Sequence, residues 1–320
     1  MKAAVLNEIG KAPRYEDFAE PKAGKDEVTL RVRAAALKPV DRQLAEGKHY
    51  ASPQELPVIC GTDGVGELED GTRVFFGGPK RPYGAMAERT IVPRAFCFTV
   101  SPEIDNDTAA ALPNPGVSAW LSLTHRGKLA AGETVLILGA TGVTGKLAVQ
   151  IARSLGAARV IGAGRNEREL AKLRELGADA TVQLEQATDA LKKAFAREAE
   201  KSCFDVIIDY VWGRPTEALL AAITKTEFAA AGKETRLVQV GESAGPTIML
   251  PAAALRSTAL TIVGTAGIPK REVLVEAMDQ VMARAARGEL RIETERVALE
   301  DIEKVWVRKE ESGRRIVLVP

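Results

Sequence analysis

The chain has 320 residues, a formal net charge of +1, 46% hydrophobic and 27% charged residues, and three cysteines. That length accommodates two domains around a large buried core, and the near-zero charge leaves no electrostatic footprint for nucleic acid or an anionic membrane. No segment approaches a membrane span, the start MKAAVLNEIG lacks an apolar signal core, and Cys60, Cys97 and Cys203 form neither a knuckle nor a CxxC pair, so a cytoplasmic chain in a reducing compartment is expected. Up to about residue 118, short β-type runs are punctuated by Gly and Pro, as at Val28–Val32, Thr72–Phe76 and Thr90–Pro93. They predict a compact, mostly antiparallel domain of barrel-like character. Strands then alternate with helical patterns: Val135–Leu138, Arg159–Ala163, Phe204–Tyr210, Arg236–Val240 and Leu260–Val263. The alternation predicts βαβ units and a parallel sheet, hence an α/β fold. After Gly264 comes an amphipathic helix over Arg271–Arg287, with Val273, Leu274, Ala277, Met278, Val281 and Met282 on one face. Its methionines read as core packing. A last helix near Leu299–Glu311 leads into the strand RRIVLVP.

The most informative stretch is VLILGATGVTGKLAVQIARSLGAARVIGAGR, from Val135 to Arg165. Val135, Leu136, Ile137 and Leu138 form an apolar run suited to a parallel strand covered on both faces. Gly139, Gly142 and Gly145 then recur every third residue. Leu147, Ala148, Ile151, Ala152 and Leu155 follow at helical spacing, which puts the turn at a helix N-terminus. Glycines allow backbone to approach a pyrophosphate closely, and the free N–H groups and dipole there favour an anion. The spacing GxxGxxG departs from GxGxxG, and a plain tight turn is the alternative. A chain built for NAD would carry Asp or Glu at the end of the second strand to bind the ribose 2′-hydroxyl. Here Arg165 stands there, with Arg168 three residues on. Guanidinium groups suit a 2′-phosphate, so NADPH is the expected cofactor; the alternative for Arg165 is a solvated loop residue.

Several segments occur in an order and spacing that carry a resemblance: MKAAVLNEIG, LKPVDRQLAEG, LPVICGTDGVGELEDGTRVF, YGAMAE, AAALPNPGVSAWLSL, the GATGVTG turn, FDVIIDYVWG and GRRIVLVP. Over nearly its full length the chain resembles the zinc-free quinone oxidoreductases of the medium-chain dehydrogenase/reductase superfamily. The resemblance implies a GroES-like catalytic domain from residues 1–118 and 264–320. A Rossmann-type doubly wound NADP(H)-binding domain at 119–263 would be inserted between them, with the cofactor in the cleft and a homodimer joined through sheet edges. It implies cofactor contacts at Ser118, at Gly139, Thr141, Gly142, Val143, Thr144 and Gly145 of the turn, at Val240 and Gly241, and at Gly264 and Thr265.

Zinc-dependent relatives hold their metal with Cys, His and Cys, helped by a Glu after the His. The matching positions here are Lys38, Thr62 and Asn114, with Asp63 for the Glu, and His49 and His125 are the only histidines. Those side chains cannot supply a tetrahedral set of thiolates and imidazoles, so no metal is expected. Without a Lewis acid the resemblance favours a quinone or α,β-unsaturated carbonyl, which accepts hydride by its own electronics. Lys38 stands where most quinone oxidoreductases have Asn, and Gln43 where some have Tyr. Lys38 is a candidate donor to a carbonyl oxygen or an exposed loop lysine. Asp41 is an orienting carboxylate or a turn residue. Thr62 and Asp63 face the former metal position, although Gly-Thr-Asp-Gly is also good turn chemistry. His49 and Tyr50 are expected at the substrate mouth, Tyr50 as a proton donor, although a phenol is a sluggish acid. The rival reading is an NADPH-binding regulatory or structural protein with little turnover. A short-chain reductase is disfavoured, because no Lys lies four residues after Tyr15, Tyr50, Tyr83 or Tyr210 and the glycine turn begins near residue 139 rather than near the N-terminus.

Overall fold

A computed structural model describes residues 1–224, 234–265, 267, 270–308 and 311–320. The chain divides into two units, one of residues 1–114, 285–287 and 291–320, the other of residues 115–284 and 288–290. In chain order the first unit begins with β1 (Lys2–Leu6), β2 (Arg14–Asp17), β3 (Glu27–Ala36), α1 (Pro39–Ala45), β4 (Val58–Ile59) and β5 (Asp63–Glu67). It continues with β6 (Arg73–Gly77), β7 (Arg89–Pro93), β8 (Cys97–Thr99) and α2 (Asn106–Ala111). Next come α3 (Pro113–Leu121), β9 (Thr134–Leu138), α4 (Val143–Ser154), β10 (Arg159–Gly164), α5 (Glu167–Lys172), β11 (Ala180–Gln183) and α6 (Thr188–Lys201). Then follow β12 (Val206–Asp209), α7 (Gly213–Ile223), β13 (Thr235–Gln239), α8 (Ala252–Ser257), β14 (Leu260–Gly264) and α9 (Arg271–Ala286). The chain ends with β15 (Glu293–Ala298), α10 (Ile302–Val307) and β16 (Arg314–Val319).

The first unit is mostly antiparallel. A three-stranded sheet runs β2-β1-β4, and a seven-stranded sheet runs β15-β16-β3-β5-β6-β8 with β7 also on β3. Strand β3 shows why: Val28, Leu30, Val32 and Ala34 are buried at period two, the spacing of one sheet face. Its register on β5 slips between Val32 and Ala34, a bulge just before the chain turns into α1. Leu30, Leu37, Phe76, Met86, Trp306 and Leu318 form the centre of this core. The pairing of β15 with β16, near the chain's C-terminal end, is parallel.

The second unit holds a six-stranded parallel sheet in the order β11-β10-β9-β12-β13-β14. This is the doubly wound order, in which the chain leaves β9 first to one side and then to the other. All five residues of β9 are buried, as a central strand with both faces covered requires. Leu136, Leu138, Ile161, Phe195, Ile207 and Leu219 anchor the core.

Two boundaries differ from the sequence expectation. Residues 264–284 group with the parallel sheet rather than with the catalytic unit. The cause is local: β14 continues that sheet to Gly264, and on α9 the Arg284 guanidinium lies 4.5 Å from the centre of the Trp120 ring. The final helix is a 3-10 turn at Leu299–Asp301 followed by α10, and residues 309 and 310 of the expected helix lie outside the described ones. Among the described residues no helix is long and apolar enough to cross a membrane.

Candidate functional site

Because β9 to β14 are parallel, the loops that leave their C-terminal ends share one edge of the sheet. Gly139 follows β9, Arg165 follows β10, Tyr210 follows β12, Val240 follows β13 and Thr265 follows β14. The residues singled out for a dinucleotide in the second unit therefore gather on the edge where such folds bind ligands.

The three glycines of the turn have different reasons to be glycine. Gly139 has φ 85°, a left-handed conformation that costs other residues about 1–2 kcal/mol. A Cβ at Gly145 would lie 2.2 Å from the Gly139 carbonyl oxygen and 2.6 Å from the Ala140 Cα, so the helix can start this close to the strand only without a side chain. Gly142 needs neither allowance. Its φ is −78°, and a Cβ there would meet only the Gly139 oxygen, at an ordinary 3.4 Å. Its missing side chain thus leaves open a cradle in front of the helix. No side chain caps α4, and the N–H groups of Val143, Thr144 and Gly145 are its first-turn donors. An anion fits there, and the donor set matches a pyrophosphate. Thr141 turns inward instead: it is buried, with its methyl where a Cβ of Gly164 would stand.

Arg165 and Arg168 are exposed beyond β10. Their loop is held from behind. Gln183 Nε2 donates to the Arg165 carbonyl at 2.9 Å, and Asn166 caps α5 by accepting from the N–H groups of Arg168 and Glu169. Beneath, buried Lys146 of α4 pairs with Glu169 of α5 at 2.5 Å, and Lys172 reaches the same carboxylate at 3.0 Å. Sequence reasoning missed this pair; a lysine inside an otherwise apolar helix face was the available signal. Farther along the edge, the carbonyl of Asp209 accepts from Val240 N at 2.8 Å and Gly241 N at 3.1 Å. Gly264 and Thr265 end β14 in the open, and Ser118 is half-buried on α3.

In the first unit the expected catalytic residues converge, but on one another. Lys38 precedes α1 and is only 2% exposed. Its ammonium donates to Asp63 Oδ1 at 2.9 Å and to the Ala36 carbonyl at 3.0 Å, and lies 3.3 Å from Asp41 Oδ2. Asp41 also accepts from Lys38 N at 2.9 Å, Thr62 N at 3.1 Å and Thr62 Oγ1 at 3.2 Å. The Thr62 hydroxyl lies 3.4 Å from Asp63 Oδ2. Burial by itself would pull the Lys38 ammonium down, but Asp41 and Asp63 outweigh it and leave it above its ordinary value. Burial pushes the Asp63 carboxyl up despite the pull of Lys38. Lys38 is thus not an exposed loop lysine: its ammonium hydrogen-bonds Asp63 and the Ala36 carbonyl and forms an ion pair with Asp41. Nearby, Arg315 of β16 donates to the Leu37 carbonyl at 3.0 Å.

A cavity of about 200 Å³ opens beside this cluster. Leu6, Leu44, Val58 and Ile59 supply apolar wall, and Asp41, Thr62, Arg81 and Tyr83 supply polar wall. Tyr50 stands apart, 96% exposed, with its ring centre 4.1 Å from that of His49. It lies outside the carboxylate cluster, so the sequence-based role as a proton donor gains no support from its surroundings.

Two outcomes follow. Gly145→Ala is expected to cost at least about 2 kcal/mol, because backbone atoms must move, whereas Gly142→Ala stays within about 1 kcal/mol of the parent; urea denaturation measures both. Lys38→Met strips two buried carboxylates of their cation and costs about 3–5 kcal/mol. Without the ammonium, Asp63 rises further above its unfolded value, so its favourable contribution belongs to low pH and disappears as pH climbs through the folded value. The deficit should therefore be largest at pH 8 and shrink toward pH 5. A deficit that grew on acidification would mean the ion pairs do not form.

Comparison with known proteins agrees with this geometry. The family described as zinc-binding dehydrogenase matches residues 143–284. A probable NADPH-dependent quinone reductase of Emericella nidulans is 27% identical, the alignment covering 96% of each chain. The chloroplastic NADPH-dependent alkenal/one oxidoreductase of Arabidopsis thaliana is 30% identical over 57% of this chain, and the match spans about half (52%) of that relative. The quinone oxidoreductase of Thermus thermophilus, solved also in complex with NADPH, superposes with a TM-score of 0.81 at 27% identity over the whole of both chains. From end to end, in sequence and in fold, the chain is thus similar to quinone oxidoreductases of the medium-chain dehydrogenase/reductase type.

Proposed function

We propose that the chain is an NADPH-dependent oxidoreductase that reduces a quinone or an α,β-unsaturated carbonyl without a metal. The observation that carries this reading is the sheet edge where an uncapped helix start, an open Gly142 cradle and Arg165 lie one strand apart. The first-turn amides of α4 would hold the pyrophosphate, and Arg165 with Arg168 the 2′-phosphate. Bound NADPH supplies a hydride from its nicotinamide. Ser118, Val240, Gly241, Gly264 and Thr265 are assigned to its nicotinamide half on the family resemblance and on their place at the edge.

The cavity beside Thr62 is assigned to the acceptor. Its apolar wall would exclude water from a flat, conjugated molecule, and its polar wall would orient an oxygen. Asp41 fixes Thr62 through both N–H and hydroxyl, which makes Asp41 a positioning residue. The same cluster does not fit zinc. The ammonium of Lys38 already neutralises the carboxylates there, and Lys and Thr are poor zinc donors. No step is therefore routed through a metal, whatever the description of the matching family. We further infer a homodimer through β14, whose outer side is unpaired among the described residues. Met249 and Leu255 lie exposed in the same part of the unit. Sedimentation at twice the chain mass is expected.

Purified protein should oxidise NADPH in the presence of 1,4-benzoquinone or an enone, with no loss after treatment with a chelator. Tight NADPH binding with no turnover on either panel would instead support the regulatory reading. Arg165→Ala should weaken NADPH binding by roughly ten- to a hundredfold, the loss of a charge-assisted bond, and NADH binding far less. Equal losses would remove Arg165 from the 2′-phosphate site. Gly142→Ala should fold normally and bind NADPH poorly.

A further inference from the structure

We propose that Tyr210 is a coenzyme contact whose hydroxyl donates to the pyrophosphate; the inference rests on the coenzyme reading above and names a residue which that reading does not use. The chain leaves β9 toward β10 on one side and reaches β12 on the other, so the crevice of the sheet lies between β9 and β12. Tyr210 is the first residue past β12, and Gly139 the first past β9. They face each other across that crevice. Tyr210 N donates to the Leu138 carbonyl at 3.1 Å, and a Cβ on Gly139 would lie 3.1 Å from the Tyr210 Cβ.

The hydroxyl itself is buried and has no hydrogen-bond partner among the described residues, although the residue as a whole is partly exposed. Burial also pushes the phenol above its ordinary value, so it stays protonated and can act as a donor. A buried donor without an acceptor is costly. It is normally relieved by movement, and here the loop is held against movement. The Asp209 carboxylate accepts from Val211 N and Trp212 N at 2.8 Å each and from Thr216 Oγ1 at 2.5 Å. Trp212 is kept at φ 55°, a left-handed conformation that a tryptophan adopts only under constraint. On the far side Gly241 packs so closely that a Cβ there would lie 2.6 Å from the Tyr210 carbonyl oxygen. An unpartnered, protonated hydroxyl on a residue whose backbone and Cβ line this crevice suits an anionic acceptor, and the pyrophosphate proposed over the Gly139–Gly145 turn is the adjacent one.

The test is Tyr210→Phe, read by thermal unfolding of the coenzyme-free protein and by calorimetry with three probes: NADPH, 2′-phospho-ADP-ribose and 2′,5′-ADP. Removal of an unpartnered hydroxyl should leave Tm unchanged or raise it by about 2 °C. NADPH and 2′-phospho-ADP-ribose, which share the diphosphate, should each bind roughly ten- to a hundredfold more weakly. Binding of 2′,5′-ADP, which has no diphosphate bridge, should change less than about twofold, within the spread of a lost remote contact. A fall in Tm would show that the hydroxyl has a protein partner, and equal binding by variant and parent would show that it touches no coenzyme. Loss confined to NADPH would move the contact to the nicotinamide side. Each of these overturns the assignment. A parent protein that binds none of the three probes overturns the coenzyme reading itself, and the assignment with it.

Discussion

A Cβ on residue 145 would stand 2.2 Å from the carbonyl oxygen of Gly139, and the whole sheet edge is organised by that closeness. Helix α4 starts almost in contact with the end of β9, so its first-turn amides face the crevice directly. A longer connection would set those donors back from the edge and blunt the attraction, which fades within the first turn of a helix. Parallel pairing then does the rest. Because Ile137 is in register with Gly162 on one side and with Ile208 on the other, the loops carrying Arg165 and Tyr210 emerge level with the glycine turn.

Asp209 gives the opposite wall of the crevice a comparable rigidity. Its carboxylate collects three donors from the loop and from α7, while its carbonyl receives two more from the residues that leave β13. A fully buried carboxylate of this kind is costly to desolvate, and burial raises its pKa. The hydrogen bonds offset that cost, and they fix two neighbouring turns at once. Strain at Trp212 is tolerated because these bonds over-determine the loop.

What could be read in the sequence depended on the type of signal. Strands β9, β10, β13 and β14 declared themselves by apolar runs, and the glycine turn by its spacing next to one of them. The short β11 and the charged β15, Glu-Thr-Glu-Arg-Val-Ala, carry no apolar run; β15 is defined by pairing along β16, a tertiary event. The division at residue 284 was hidden for a similar reason, since α9 is amphipathic whichever unit it packs on. At the site, Arg165 and the glycines follow from local pattern. Asp209 and the Lys146–Glu169 pair do not, because a buried polar group is recognised by its partners, and these come from other elements.

Lys38 shows how the same positions acquire a different chemistry. Two carboxylates within reach of one another repel, and burying them together requires a cation or a proton. A metal supplies two positive charges at a point and takes ligands from several directions. An ammonium supplies one, and here it hydrogen-bonds Asp63 and the Ala36 carbonyl and lies 3.3 Å from Asp41. The remaining imbalance is eased by the N–H groups of Lys38 and Thr62, both aimed at Asp41, and by the positive charge of Arg315 nearby. The ammonium thereby neutralises the two carboxylates and braces Asp41 and its partner Thr62, which line the neighbouring cavity.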